Sequence, residues 1–332
     1  MTRILIAIML LQIGIITQAQ EPDWAMGPDP ELERIRVLIR GDDFGLTHAS
    51  NLAMQEAFTN GQMTSASVMP SGAWFQESAA MIRAHPEWSI GLHLAMSSGW
   101  NQLHFGPLLP PSDVPTLVAA DGYFYHSYPE WPLGLWILEE PPYLFSGEGE
   151  MPADILDRRR EMTATKYPDP AEFEAEMRAQ IQRAQEMGVR FEYIDVHMGG
   201  AYVPALRPVL FKLAKELGMP IPEAGWMGYE DIHLRFWGDG PEASKTLATK
   251  LRSLEPGLYR IVLHPLVDNE EAQAMDSFFG ANWAREGQAA LDALTSEEVR
   301  NAIVEMNIEL VTVGDLWNYE NGTLNGSQQQ SE

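Results

Sequence analysis

The stretch Ile35-Arg-Val-Leu-Ile-Arg-Gly-Asp-Asp-Phe-Gly45 decides how this chain is read. Ile35 to Arg40 is a β-branched run, and Gly41–Gly45 follows as a turn. Leu52, Ala53, Ala57 and Phe58 then recur near helical spacing over about 50–58. A strand feeding a helix is the building unit of an α/β fold, and here the unit repeats. Residues 64–69 predict a second strand, 74–84 a second helix and 89–94 a third strand, joined by loops containing Gly, Pro or Asn. After a long irregular stretch the rhythm resumes. Helices are expected near 171–187, 204–217, 242–251, 283–293 and 296–305, and strands near 191–196, 220–222, 258–263 and 309–313. Strands alternating with helices in this number favour a distorted (β/α) TIM-like barrel over a doubly wound sheet, as a single domain spanning 35–317. No internal repeat is visible.

Residues 97–168 break the rhythm and form an aromatic and Pro-rich insertion, with Trp100, Tyr123, Tyr125, Tyr128, Trp131, Trp136 and Tyr143 beside Pro110-Pro111 and Pro141-Pro142. Segments of this length without periodicity are usually functional or disordered, and the aromatics argue against disorder. A lid or substrate wall and a small subdomain packed on the scaffold are equally compatible with this composition.

The ends carry different information. Arg3, an apolar run from Ile4 to Ile16 and the small-residue site Thr17-Gln-Ala19 have the three parts of a signal peptide, and the run is too short to span a bilayer. The expectation is cleavage after Ala19, a linker over 20–34, and a mature protein exported to the periplasm or the extracellular space with no membrane segment. Residues 318–332 end in a polar Asn, Gly, Ser and Gln tail that cannot contribute to a core.

The chain has 332 residues, 45% hydrophobic and 21% charged, which is a globular composition. A formal charge of −25 repels phosphate backbones and anionic lipids, so nucleic acid is an unfavourable partner. With no Cys there is no disulfide, thiolate ligand or thiol nucleophile, and any metal must be held by His and carboxylates. There is no Gly-x-Ser-x-Gly elbow, His-Glu-x-x-His or P-loop. Gly238-Asp-Gly-Pro-Glu-Ala243 follows a loop rather than a strand and reads as a turn, not a dinucleotide site.

The residues that carry chemistry fall at strand ends. Asp42-Asp43 follows the first strand, His93 ends the third, His197 follows the strand at 191–196, and His264 follows the strand at 258–263. The other histidines, His48, His85, His104, His126 and His233, read as surface or satisfied positions. In a barrel, residues at the C-terminal ends of different strands converge on one face. One carboxylate with two imidazoles is an open shell for a divalent metal, and a second carboxylate beside it can take a proton from water.

These residues resemble the YdjC-like carbohydrate deacetylases, which include chitooligosaccharide deacetylase. The resemblance rests on Arg40-Gly-Asp-Asp-Phe-Gly-Leu46, Asn51-Leu-Ala-Met-Gln-Glu-Ala57, Gly61–Met69, Gly91-Leu-His-Leu94, Val114-Pro-Thr-Leu-Val118 with Asp121-Gly-Tyr-Phe124, Ile194-Asp-Val-His197 and His264-Pro265, in that order. It implies that Asp43, His93 and His197 bind one divalent ion (Mg or Zn, with Mn as a further option). It also implies that Asp42 is the general base, and that His264 assists as acid or orients the base. The implied activity is hydrolytic removal of acetyl from an N-acetylated sugar or oligosaccharide. The chain departs from the family at Met198-Gly-Gly200, where further His residues are common, and at Leu266, where Gly is usual. A metal-independent glycoside hydrolase and an inactive sugar-binding relative are the alternatives. Oligomeric state stays open, a homodimer included.

Overall fold

The computed structural model describes residues 33–98, 100, 103–126, 128, 164–198, 203, 205–223, 227–234, 236, 239–275 and 282–320. The expected signal peptide, nearly all of the linker, the centre of the insertion and the tail beyond 320 lie outside these residues. Strands β1 (Ile35–Phe44), β2 (Ser65–Val68), β3 (Ser89–Leu94), β4 (Tyr193–Val196), β5 (Glu230–Ile232), β6 (Gly257–Leu263) and β7 (Glu309–Leu310) form one sheet. Helices α1 (His48–Thr59), α2 (Phe75–Ala84), α3 (Pro170–Glu186), α4 (Arg207–Leu217), α5 (Gly240–Arg252), α6 (Glu270–Ala274), α7 (Trp283–Thr295), α8 (Glu297–Glu305) and α9 (Val313–Glu320) alternate with the strands or follow them. No helix among the described residues is long and apolar enough to cross a membrane.

Every pairing is parallel, in the order β4-β3-β2-β1-β6-β5, with β7 against the first half of β1. The sheet is curled. Strands lie about 4.8 Å apart, so β1 and β4 would be about 14 Å apart in a flat sheet. Yet Arg40 Nη1 on β1 reaches Asp195 Oδ2 on β4 at 2.8 Å. The curl has an inside and an outside, and the period-two alternation of the strands sorts residues between them. Val37, Ile39, Ala66, Ile90, Leu92, Ile194 and Ile261 belong to the main apolar core. Arg40, Ser67, His93, Tyr193 and Asp195 are equally buried but meet one another inside the curl, and Arg260 is buried there with its own partner Asp231.

The parallel α/β architecture and the interrupted rhythm agree with expectation, whereas the closed barrel does not emerge among the described residues, because the strand path ends at β4 and β5. The strand expected at 220–222 is absent. Pro220 and Pro222 have no N–H to give a ladder, so the segment only accepts: Pro220 O from Ile194 N at 3.2 Å, and Pro222 O from Tyr229 Oη and Arg260 Nη1. It lies against the free edge of β4 and reaches Tyr229, just before β5, and Arg260 of β6 across the opening. The fifth strand is Glu230–Ile232.

The described part of the insertion is anchored to the scaffold. Glu176 of α3 accepts from Leu108 N and Leu109 N, Glu172 from Thr116 N and Oγ1, and Tyr128 Oη donates to Met96 O. These contacts hold parts of 103–126 against α3; Trp131, Trp136 and Tyr143 lie outside the described residues.

Candidate metal centre

The first strand runs to Phe44, so the expected turn at 41–45 is mostly strand. Between Gly41 and Phe44 β1 advances three residues while β2 advances two, from Ala66 to Val68, and the extra residue makes a bulge. Asp43 sits in that bulge with φ 69°, in the left-handed region that Asp tolerates better than most residues. The bulge turns two consecutive carboxylates, which regular pleating would send to opposite faces, toward one place. Met198, directly after His197, also has positive φ at 58°. Strain of this kind tends to gather at functional sites.

The register then brings the strand ends together. His93 pairs with Asp195, and Gly41 pairs with Leu263, which sets His264 level with Asp42. His93 Nε2 lies 3.5 Å and His197 Nδ1 3.2 Å from Asp43 Oδ1, and the two nitrogens are 3.2 Å apart. These three donor atoms lie within 4.8 Å of one another and all three residues are buried. Asp43 Oδ1 has no well-aligned hydrogen-bond donor. A carboxylate oxygen and two imidazole nitrogens crowded at this spacing fit a divalent cation, since neutral imidazoles offer lone pairs to a shared centre.

Around the triad stands a supporting set. His93 Nδ1 is 2.8 Å from Asp195 Oδ1, the carboxylate-to-histidine contact that fixes ring orientation in metal sites. Asp195 Oδ2 takes the Ser67 hydroxyl at 3.0 Å and Arg40 Nη1 at 2.8 Å. Arg40 also grips Asp42 with two nitrogens, Nε to Oδ1 at 2.8 Å and Nη2 to Oδ2 at 2.9 Å. Asp42 Oδ2 stays 3.9 Å from His93 Nε2. Tyr193 Oη meets Ser67 Oγ at 3.1 Å by crossing β3 at Gly91. Any Cβ at Gly91 would fall 1.9 Å from the Tyr193 ring, which explains the glycine in Gly91-Leu-His-Leu94.

Of the three buried carboxylates, Asp42 and Asp195 share the Arg40 guanidinium, while Asp43 faces only the imidazoles of His93 and His197 among the described residues. Burial pushes the His93 imidazole down, and the Asp195, Asp42 and Asp43 charges outweigh it to bring its pKa to about 9. Burial likewise pushes the Asp43 carboxyl up, and the imidazoles of His197, His264 and His93 pull it below the usual carboxylate range. A proton on His93 and a bound cation are alternative answers to the same negative excess. Asp195 is lowered to about 2, because Arg40 and His93 outweigh its burial.

His264 is half-buried beside the Trp283 ring, at 5.4 Å between centroids, in a small cleft shared with Leu234, Phe236 and Glu286. Burial lowers its pKa against the opposing pull of Asp43 and Asp42. The His197 ring stacks on Trp100 at 5.5 Å, and Trp100 meets Trp283 edge to face at 6.1 Å. The five residues expected from the sequence therefore share one site, and the insertion contributes Trp100 to its wall. The roles of Arg40 and Trp283 were not anticipated. Asp195 was visible only as the first residue of Asp-x-His, a spacing that puts both side chains on one strand face.

The sequence matches the YdjC-like protein family over residues 36–305. A relative named carbohydrate deacetylase from Brevibacillus brevis is 23% identical, covering 85% of this chain and 100% of its own length. Another of that name from Thermus thermophilus is 29% identical, covering 82% of this chain and 91% of its own. A solved structure from Enterococcus faecalis, provisionally described as a cellobiose-phosphate cleavage protein, superposes with a TM-score of 0.62 at 23% identity. It covers 85% of this chain and 99% of its own, and shows the shared fold. The match across most of the chain places it in the YdjC-like family, among relatives that are carbohydrate deacetylases.

Proposed function

We propose that this protein is a metal-dependent hydrolase that removes acetyl from N-acetylated sugars or oligosaccharides. The observation that carries the reading is the convergence of Asp43, His93 and His197 with a second, separately held carboxylate, Asp42, beside them. A divalent ion held by the triad would polarise the acetyl carbonyl and make a water molecule more acidic. Asp42, oriented by Arg40, is placed to take the proton of that water. His264, level with Asp42 on the neighbouring strand, is placed to pass a proton to the departing nitrogen. Trp283, half-buried and backed by the buried Trp100, offers an apolar face against which a sugar ring can pack. Zinc suits two imidazoles and one carboxylate, while magnesium or manganese would keep more water.

Other features support finer parts of the proposal. The curled sheet, with Pro220–Glu223 across its opening, supports a distorted barrel. The amino-terminal signal pattern supports export. The glycoside-hydrolase alternative gains nothing from the geometry, because the paired carboxylates crowd one imidazole nitrogen instead of flanking a sugar-sized gap.

The test is acetate release from N-acetylglucosamine oligomers by protein lacking residues 1–19, with chelator and then with zinc, magnesium or manganese restored. The expected result is loss on chelation and recovery with metal. Acetate release that is indifferent to chelation would remove the metal from the mechanism, and release from no oligomer would remove the substrate class.

A further inference from the structure

Beyond the metal centre, aromatic faces continue outward along the rim. Trp283 packs with Ala49, Leu266, Ala272 and Ala284 in a small separate cluster. Leu266 fits because Gly287 lies opposite; a Cβ there would come within 2.5 Å of the Leu266 side chain. Ala49 belongs to the first turn of α1, and the residue before it, His48, lays its ring against Trp74 at 4.9 Å and 33°. Trp74 is 41% exposed, unlike the buried Trp100.

Trp74 is exposed but firmly held. Its backbone N–H donates to Gly45 O at 3.0 Å, and its backbone carbonyl accepts from Asn51 Nδ2 at 3.1 Å. Asn51 Oδ1 in turn accepts from Gly45 N at 2.8 Å. Gly45 is two residues from Asp43, no more than ~7.6 Å by Cα. The His48 ring is fixed by Glu77 Oε2, 2.9 Å from Nδ1, and the first two amides of α1 donate to Glu271, just past the His264 loop. The result is a rigid indole face in water, flanked by a partly exposed imidazole and carboxylate, on the edge that carries Asp43 and His264. A flat apolar face bordered by hydrogen-bonding groups is what the two sides of a pyranose ring require.

We propose that Trp74 and His48 form an outer sugar subsite, so that the substrate is an oligosaccharide that extends past the unit whose acetyl group reacts. This rests on the deacetylase reading for what happens at the metal, but not for whether the platform binds sugar. The test therefore has two arms on the whole protein. In the first, calorimetry measures binding of N-acetylglucosamine mono-, di-, tetra- and hexasaccharides to chelated wild type, Trp74→Ala and Trp74→Phe. Wild type is expected to bind the longer oligomers more tightly. Trp74→Ala should lose roughly tenfold on those alone and Trp74→Phe should keep most of the affinity, as loss of one ring contact implies. In the second arm, acetate release should show a raised KM for long oligomers with kcat, and all parameters for the disaccharide, unchanged. Affinity independent of length in wild type, equal losses at every length in Trp74→Ala, or unchanged binding of long oligomers would each overturn the subsite. If wild type binds with length dependence yet releases no acetate, the deacetylase reading fails and the subsite stands.

Discussion

Two buried ionic clusters lie inside the same curled sheet, and they are built differently. Around Arg260, the guanidinium meets Asp231 with two nitrogens at 2.5 and 2.8 Å, lies 3.6 Å from Glu223, donates to Pro222 O and covers the Tyr229 ring at 4.8 Å. Around Arg40, two carboxylates share one guanidinium, a third, Asp43, meets only imidazoles, and Asp43 Oδ1 and His197 Nε2 find no hydrogen-bond partner among the described residues. The first cluster is self-sufficient and bridges the opening between β4 and β5. The second is short of positive charge and leaves donors and acceptors alike without aligned partners among the described residues, at the place where strand ends converge. Burial of charge alone does not mark a site; what marks it is buried charge that the protein leaves incompletely answered.

The comparison can be broken most severely at the triad. Asp43→Ala or His93→Ala should abolish measurable binding of a divalent ion by calorimetry and abolish acetate release, while the same measurements on Asp231→Asn should match wild type for the metal. Asp42→Asn is expected to bind metal normally and lower kcat by about 10²–10⁴, the usual weight of a positioned base; wild-type turnover would take the base role from Asp42. Asp231→Asn should instead lower the unfolding free energy by about 3–5 kcal/mol in urea denaturation, because Arg260 would be left buried without its main partner. Asp195→Asn should weaken metal binding by about 10–100-fold without displacing any direct ligand. The smallest effect concerns protons. With the His93 pKa raised to about 9 in the metal-free protein, metal binding at neutral pH must displace a proton. Apparent affinity should thus climb as pH rises toward about 9 and then level off, read by calorimetry in buffers of different ionisation enthalpy.

Much of this was legible in the sequence because it lay in local patterns. Strand and helix alternation is a short-range signal, and helix boundaries came within a few residues, as for α3 and α7. The five polar residues at the C-terminal ends of strands were legible because parallel strands share one such edge. The inward face was harder. Arg40, Ser67, Asp195 and Arg260 alternate with apolar residues just as solvent-facing residues would, and only the curl turns that face into a second interior. Nor does a linear pattern announce the bulge at Asp43, since it depends on a one-residue mismatch between β1 and β2. Pro220–Pro222 looked like a strand from its apolar neighbours, but its missing N–H groups prevented a ladder. Trp283 and Trp74 gave no warning, because contact with His264 and His48 comes from packing between distant segments.

The bulge in β1 makes the site sensitive to chain length as well as to composition. β1 is paired along both edges, with β6 from Ile35 to Gly41 on one side and with β7 and β2 on the other, so its alignment cannot slide to absorb a change. Deleting one residue between Gly41 and Phe44 could leave a carboxylate in the segment, yet it would erase the mismatch that turns Asp42 and Asp43 to the same side. Natural variation and library design should therefore tolerate exchanges at these positions far better than indels, and a frame of fixed spacing, more than any single side chain, is what descent has to preserve here.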